Sequence, residues 1–344
     1  MSGDVATEAR LQRHCHWPVV IRHLSLCLVA FAAFAVPSVA SADEPAANAR
    51  RPGRDAELKY WLQNLVWYHR FSDDETCAAL GLDAGELKAA LARFEIRRDN
   101  APAIPAGKVF VLPYPGGRHP RIGFLDGAVD PQRETKVSIF TPWQPNDRTR
   151  SDYVVADVPE AIWSNLGLTY LAHTHVPTVW SKQGVTLEPL EWTRNDNGSF
   201  TLERRLPNGI EFGTVVRPMS DHVAMTMTLK NGTDQPLSDL RVQNCVMLKG
   251  AAGFNEQTNE NKLFQAPYAA ARDTSGNRWV ISAWMPNHRT WGNAPCPCLH
   301  SDPKFPDCAP GETKTLRGWL SFYEGTDIQA ELARIQRLSW WEAP

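Results

Sequence analysis

Neither sign of charge is in excess in this chain: 36 Lys and Arg stand against 38 Asp and Glu, a formal net charge of −2. Backbone-directed nucleic-acid binding needs a basic face, so no nucleic-acid partner is expected. Three catalytic signatures are missing: the Gly-rich phosphate loop ending in Lys-Ser/Thr, the Ser nucleophile elbow and His-Glu-x-x-His. No motif calls for a cofactor, and none is expected. The apolar run Leu24 to Val36 is too short to span a bilayer comfortably. Cysteine is scarce. Of seven, Cys15 and Cys27 lie near the N-terminus, leaving Cys77, Cys245, Cys296, Cys298 and Cys308. Five is odd, so at least one stays unpaired unless the chain dimerises through it.

That apolar run is informative in its context. Arg10, Arg13 and Arg22 precede it, Pro37 breaks it, and Ala40-Ser41-Ala42 offers small residues before Asp43. The pattern predicts an export signal over residues 1–42, cleaved before Asp43, and a periplasmic or extracellular mature protein without stable membrane insertion. A signal anchor is the alternative. Residues 43–56, rich in Ala, Arg, Pro and Gly, read as a flexible linker. Residues 57–100 carry helical periodicity. Ser72 and Glu75 are spaced as a capping box, and Gly81 splits two short helices. The pattern is similar to a helix-turn-helix, which in an exported, mildly acidic chain reads as a packing module. The DNA-binding regulator is the dissenting reading. Residues 101–121 form a Pro/Gly-rich connector.

The rest is mainly β. His222 to Lys230 alternates, with Val223, Met225, Met227 and Leu229 on one face. Turn signals fall at short spacing around it: Asn195-Asp196-Asn197-Gly198, Pro207-Asn208-Gly209, Pro218-Met219-Ser220-Asp221 and Asn231-Gly232-Thr233-Asp234. Further strands are expected at Lys108 to Leu112, Thr135 to Phe140, Tyr153 to Val158, Gly167 to Val176, Arg278 to Trp284 and Lys314 to Tyr323. Pro159 to Leu166 reads as a turn or short helix. The predicted fold class is a two-sheet antiparallel supersandwich over residues 122–326 with a small N-terminal all-α module. A C-terminal helix and tail fill residues 327–344.

Candidate site residues follow from residue type and place. His173 and His175 alternate on a predicted strand and share a face, as acid–base work or metal ligation needs. A hydrogen-bonded rim is the plainer reading. Cys296-Pro297-Cys298-Leu299-His300-Ser301-Asp302, with Cys308, concentrates special residues. In an exported protein a disulfide from Cys308 to Cys296 or Cys298, stapling a Pro-rich loop, is preferred. A metal held by Cys296, Cys298, His300 and Cys308 is the weaker alternative. His300 and Asp302 would be presented from that loop. Arg133 and Glu134 open a strand, where a solvated edge competes with a role in a site. Trp180 and Trp291, set among Pro, Asn and Gly, are candidates for stacking on sugar rings.

The stretch Glu211 to Gly250 resembles the galactose mutarotase-like supersandwich family. An alternating strand runs to Leu229, a turn follows over Asn231 to Leu237, and the next strand carries Gln243-Asn244-Cys245. Ala309-Pro310-Gly311-Glu312-Thr313 is similar to a late turn of such domains. The resemblance implies a sugar or polysaccharide partner, with Gln243 and Asn244 in the site. Sugar epimerases of that family place an acidic His after the Asn; here the residue is Cys245. A thiol titrates near 8.5 against about 6.5 for imidazole, so ordinary aldose 1-epimerase activity is not expected. The reading is an exported carbohydrate-binding or carbohydrate-processing protein. Any catalysis, as isomerase, lyase or hydrolase, would use His173, His175 or His300 with Glu134. The rival is a non-catalytic envelope module binding polysaccharide or protein. On the strand itself, Leu240, Val242, Val246 and Leu248 should face the core, and Arg241, Gln243, Cys245 and Met247 the sugar.

Overall fold

Residues 49–104, 107–116, 133–143, 151–172 and 176–342 are described in the computed structural model. The segment read as an export signal, residues 105–106 and 117–121 of the connector, and His173 and His175 lie outside them.

Helix α1 (Asp55–Leu62) runs into a π-helical stretch (Gln63–Tyr68), followed by α2 (Asp73–Leu80) and α3 (Ala84–Arg93). The capping box read at Ser72 and Glu75 is present, and Asp83 with Glu86 forms a second. Gly81 ends α2 at φ 63°, a left-handed conformation that suits glycine. The strands are β1 (Val111–Pro113), β2 (Lys136–Phe140), β3 (Tyr153–Ser164), β4 (Gly167–Leu171), β5 (Thr193–Arg194), β6 (Phe200–Arg205), β7 (Glu211–Pro218) and β8 (His222–Lys230). After them come β9 (Val242–Met247), β10 (Lys262–Gln265), β11 (Tyr268–Arg272), β12 (Arg278–Met285), β13 (Asn287–Trp291), β14 (Cys298–Pro303) and β15 (Thr313–Glu324). Helix α4 (Ile328–Arg337) follows.

All strand pairs are antiparallel, and they make two sheets. The first has the order β1-β2-β3-β9-β14-β13, with β4 paired to β3. The second has the order β10-β11-β12-β15-β8-β7-β6-β5. Most of the meander of the sequence is one end of the second sheet: the turns at 195–198, 207–209 and 218–221 join strands that pair directly, whereas the turn at 231–234 carries the chain from β8 across to β9 of the first sheet. Val223, Met225, Met227 and Leu229 are buried and their neighbours are not, as a period of two requires.

Between the sheets lies the main core. Val137, Ile139, Val154, Ala156, Val242, Val246 and Leu299 of the first sheet join Val223, Met225, Met227, Leu229, Leu316 and Leu320 of the second. Leu240 and Leu248, at the ends of β9, belong to it as the alternation predicts. The outer face of the second sheet packs Trp279, Ile281 and Trp319 on Leu332, Ile335 and Trp340 of the C-terminal segment. The outer face of the first sheet carries Phe140, Tyr153, Val155, Cys245, Met247 and Cys298. Leu62, Leu65, Phe71, Leu80 and Leu87 of the helical segment cover it. His69 pins that cover: its Nδ1 lies 3.0 Å from Asn64 O and its Nε2 2.7 Å from Ser138 Oγ on β2.

Two expectations are corrected here. Pro159 to Leu166 is not a turn: β3 continues to Ser164. Pro159 is tolerated because it falls where the pairing of β3 with β9 shifts, between Asp157 and Ala161, so no ladder bond is asked of its nitrogen. The side of β9 with Cys245 and Met247 is not an open cleft either. Both side chains are buried beneath the helices.

Candidate functional site

The ladder between β9 and β14 has two pairs, Cys298↔Met247 and Leu299↔Val246. Beyond Leu299, side chains take over from backbone. Asn244 N donates to Asp302 Oδ1 at 3.2 Å, and Asn244 O lies 2.9 Å from His300 Nδ1. His300 and Asp302 thus fill the gap between the parting strands and satisfy a backbone that would otherwise be orphaned.

On the next strand, β13 pairs Trp291 with His300 and Arg289 with Asp302. Trp291 lies flat on the imidazole, with centroids 4.0 Å apart and planes 12° from parallel. Asp302 Oδ2 accepts from Trp291 Nε1 at 2.7 Å and from Arg289 Nε at 2.8 Å. The Arg289 guanidinium sits 4.8 Å from the Trp291 centroid. Asp302 is therefore a buried carboxylate held by three donors, one of them cationic, which is how a buried charge is tolerated. Toward β3, Gln243 Nε2 donates to Glu160 Oε2 at 2.8 Å. Gln243, Arg289 and Trp291 keep part of their surface toward solvent, whereas Glu160, His300 and Asp302 are buried.

Behind the imidazole is a thiol cluster. Cys298 Sγ is 3.3 Å from His300 Nε2. The ligand atoms of Cys245, Cys298 and His300 all lie within 4.8 Å of one another. Hydrogen bonds to Cys298 from Cys245 and then Cys296, helped by His300, hold its thiol well below the usual range. Bonding to Cys298, followed by burial, pushes Cys245 up. Burial opposes charge on His300, but the bond to Cys298 and its negative charge outweigh it and raise the imidazole pKa; Glu160 and Asp302 add to the same effect.

The expected Cys308 staple is not formed. All five described cysteines are free thiols. Cys308 faces the inter-sheet core, while Cys296 and Cys298 pack on the far side of the first sheet with the helices. Cys308 Sγ donates to Glu312 O at 3.3 Å instead. The same separation takes Cys308 out of the metal set read from sequence, and Cys245 stands in its place. Cys298 to Pro303 is a strand, not a loop.

Other sequence candidates go elsewhere. Glu134 accepts from Tyr170 OH at 2.8 Å and lies within 3.6 Å of Arg50 and 3.5 Å of Arg204. Arg133 is buried, stacks over Trp61 and donates to Arg50 O. This nest ties the segment before α1 to the sandwich and shares no partner with the His300 cluster. Trp180 is buried in the inter-sheet core, its Nε1 donating to Thr169 O, so its ring faces protein. Asn244 is 3% exposed and alternates to the opposite side of β9 from Gln243. Glu160, Cys245 and Arg289 are the participants not assigned from sequence. The alternation of β9 places Cys245 beside Gln243, but its meeting with Cys298, 53 positions further along the chain, has no local signal.

No protein-family model and no curated protein matches the chain. Among solved structures it is similar to a protein of Synechocystis sp. PCC 6803, at 12% identity and TM-score 0.32, over 55% of this chain and 88% of the other. An Escherichia coli K12 protein described as an aldose 1-epimerase aligns at 10% identity and TM-score 0.32, over 54% and 89%. A human-microbiome protein described as a kojibiose phosphorylase aligns at 7% identity and TM-score 0.36, over 70% of this chain and 37% of its own.

Proposed function

We propose that the chain is an exported carbohydrate-binding protein that holds its ligand on the open part of the first sheet's outer face, beside the helical cover. The observation that carries this reading is the group Trp291, Arg289 and Gln243. A half-buried indole has a guanidinium against it, and an amide stands on the same sheet face two strands away, with buried carboxylates fixing their positions. His300 and the Arg289 guanidinium lie over the indole, so the group offers a sugar the exposed rim of the ring together with fixed guanidinium and amide groups that can bond its hydroxyls. The Gln243-bearing side of β9 is also the one that the mutarotase-like resemblance assigns to the sugar.

Binding is favoured over turnover at this cluster. A general acid must be free to give its proton to the ligand. Both ring nitrogens of His300 are engaged by protein, at Asn244 O and Cys298 Sγ. Asp302 is saturated by three donors, and Cys245 stands where the epimerase imidazole would be. Ordinary aldose 1-epimerisation is therefore not part of the proposal.

A glycan-array screen of the full chain, followed by titration of any hit, tests this. Trp291→Ala should weaken a hit at least tenfold, equivalent to about 1.4 kcal/mol. Arg289→Ala should weaken it as well. An array without hits, or hits that Trp291→Ala leaves untouched, overturns the placement. Accelerated anomer interconversion in a coupled assay overturns the non-epimerase reading.

A further inference from the structure

The thiol cluster behind His300 takes no part in the proposed sugar contacts, and its geometry has a use of its own. We infer that Cys245, Cys298 and His300 supply three ligands of a buried structural site for a tetrahedral, thiophilic divalent cation of the zinc class, clamping β9 to β14 where their ladder ends.

Four observations converge. The first is spacing. Ligand atoms bound to zinc at about 2.3 Å for sulfur and 2.0–2.1 Å for nitrogen stand about 3.5 Å apart along a tetrahedral edge. Cys298 Sγ and His300 Nε2 are 3.3 Å apart, and all three ligand atoms fall within 4.8 Å. The second is the orientation of the imidazole. Its Nδ1 faces Asn244 O at 2.9 Å, which directs Nε2 at the thiols. A metal-bound histidine is oriented in this way, donating its other N–H to a carbonyl or carboxylate. Trp291 stacked on the ring removes its remaining freedom.

The third is charge. Two thiolates and a neutral imidazole balance a dication, so the occupied site is neutral in a place where an uncompensated charge is costly. Cys296 adjoins Cys298 as a further soft donor, with its Sγ 3.9 Å from Met247 Sδ. The fourth is burial. Cys245, Cys298 and His300 are at most 3% exposed, which suits an ion that holds strands together rather than one that meets a substrate. Cys245 comes from β9, and Cys298 and His300 from β14. A metal there supplies a cross-strand link just where backbone pairs stop.

Cobalt(II) reports such a site without reference to any sugar, so its outcome is independent of the carbohydrate reading. The full chain is reduced, stripped with chelator and titrated with cobalt(II). The expected result is one equivalent bound, with the strong visible bands of a tetrahedral ion and near-ultraviolet thiolate-to-cobalt charge transfer, both displaced by zinc(II). Cys298→Ser, Cys245→Ser and His300→Ala should lose these bands. Cys77→Ser, a thiol on α2 outside the cluster, should keep them. Elemental analysis of the untreated protein should find zinc near one per chain. Wild-type chain with all its thiols reduced and titratable but no tetrahedral cobalt spectrum overturns the inference. So does a Cys245–Cys298 disulfide whose reduction yields no metal binding, or loss of the spectrum in Cys77→Ser.

Discussion

Gly318 on β15 lies directly against the indole of Trp284, its partner on β12. A Cβ on the glycine would stand 2.6 Å from Cε2 and Cζ2 of that ring. The indole is almost wholly buried, so it has nowhere to retreat.

Gly318→Ala should therefore destabilise the fold by about 1–3 kcal/mol, the usual cost of overpacking a core. The smaller ring of Trp284→Phe, added to Gly318→Ala, should recover part of the loss. A double-mutant cycle read by denaturant unfolding gives the coupling. Independent, additive losses from the two substitutions would mean that these residues do not touch as described.

His222 makes stability depend on pH. Its ring stacks on Trp319, with centroids 3.6 Å apart. Burial lowers its pKa from the ordinary value; Asp221 works against this, and Arg334 adds to it. The unfolded chain then binds a proton at a higher pH than the folded one does. The stabilising contribution is present above the unfolded value of about 6.5 and is lost as pH falls below it toward the folded value. Between pH 7.5 and 5.5, the melting temperature of the wild type should fall further than that of His222→Gln. Equal falls would remove His222 as the cause.

The parts of this fold legible in the sequence are those where local pattern and global packing agree. Residues 222–230 show an uninterrupted period of two because one face meets the core and the other does not. The Asn-Gly turns supply a backbone conformation that few other residues reach cheaply. Strand β14 reads as a loop in the sequence because Cys-Leu-His-Ser-Asp-Pro has little β-propensity. It is a strand through its neighbours, pairing with β9 at Cys298 and Leu299 and with β13 from His300 to Pro303. Trp180 misled for the opposite reason. Turn-forming neighbours suggested an exposed loop, yet the ring is a core residue with its N–H satisfied. The candidate site was legible as single residues, His300, Asp302, Gln243 and Trp291. It was not legible as a constellation, because contacts between strands so distant in sequence leave no mark on local spacing.

Cysteine pairing can be read from peptides. Trypsin separates Thr290 to Lys304, which holds Cys296 and Cys298, from Phe305 to Lys314, which holds Cys308. With the first sheet between these thiols, the two peptides should elute separately without reductant. A cross-linked pair would restore the staple and require Cys308 to leave the core.

The helical segment and the sandwich should unfold as one unit. Leu65 is fully buried, and it belongs to a cluster that also holds Phe140, Tyr153, Val155 and Met247 of the first sheet. The helices are too short to be stable alone in water, and without them that sheet face would present aromatic and thiol side chains to solvent. Each part completes the other's burial. Leu65→Ala should cost about 2–5 kcal/mol, the range for a buried leucine that leaves a cavity. The loss should appear in both structural signals. Helical circular dichroism and tryptophan fluorescence, which is dominated by the sandwich, should shift together along the denaturant axis with one midpoint. A helical signal that melts early while the fluorescence midpoint stays at the wild-type value would show that the segment folds on the sheet without stabilising it. The cover over the thiol cluster would then open independently of the sandwich.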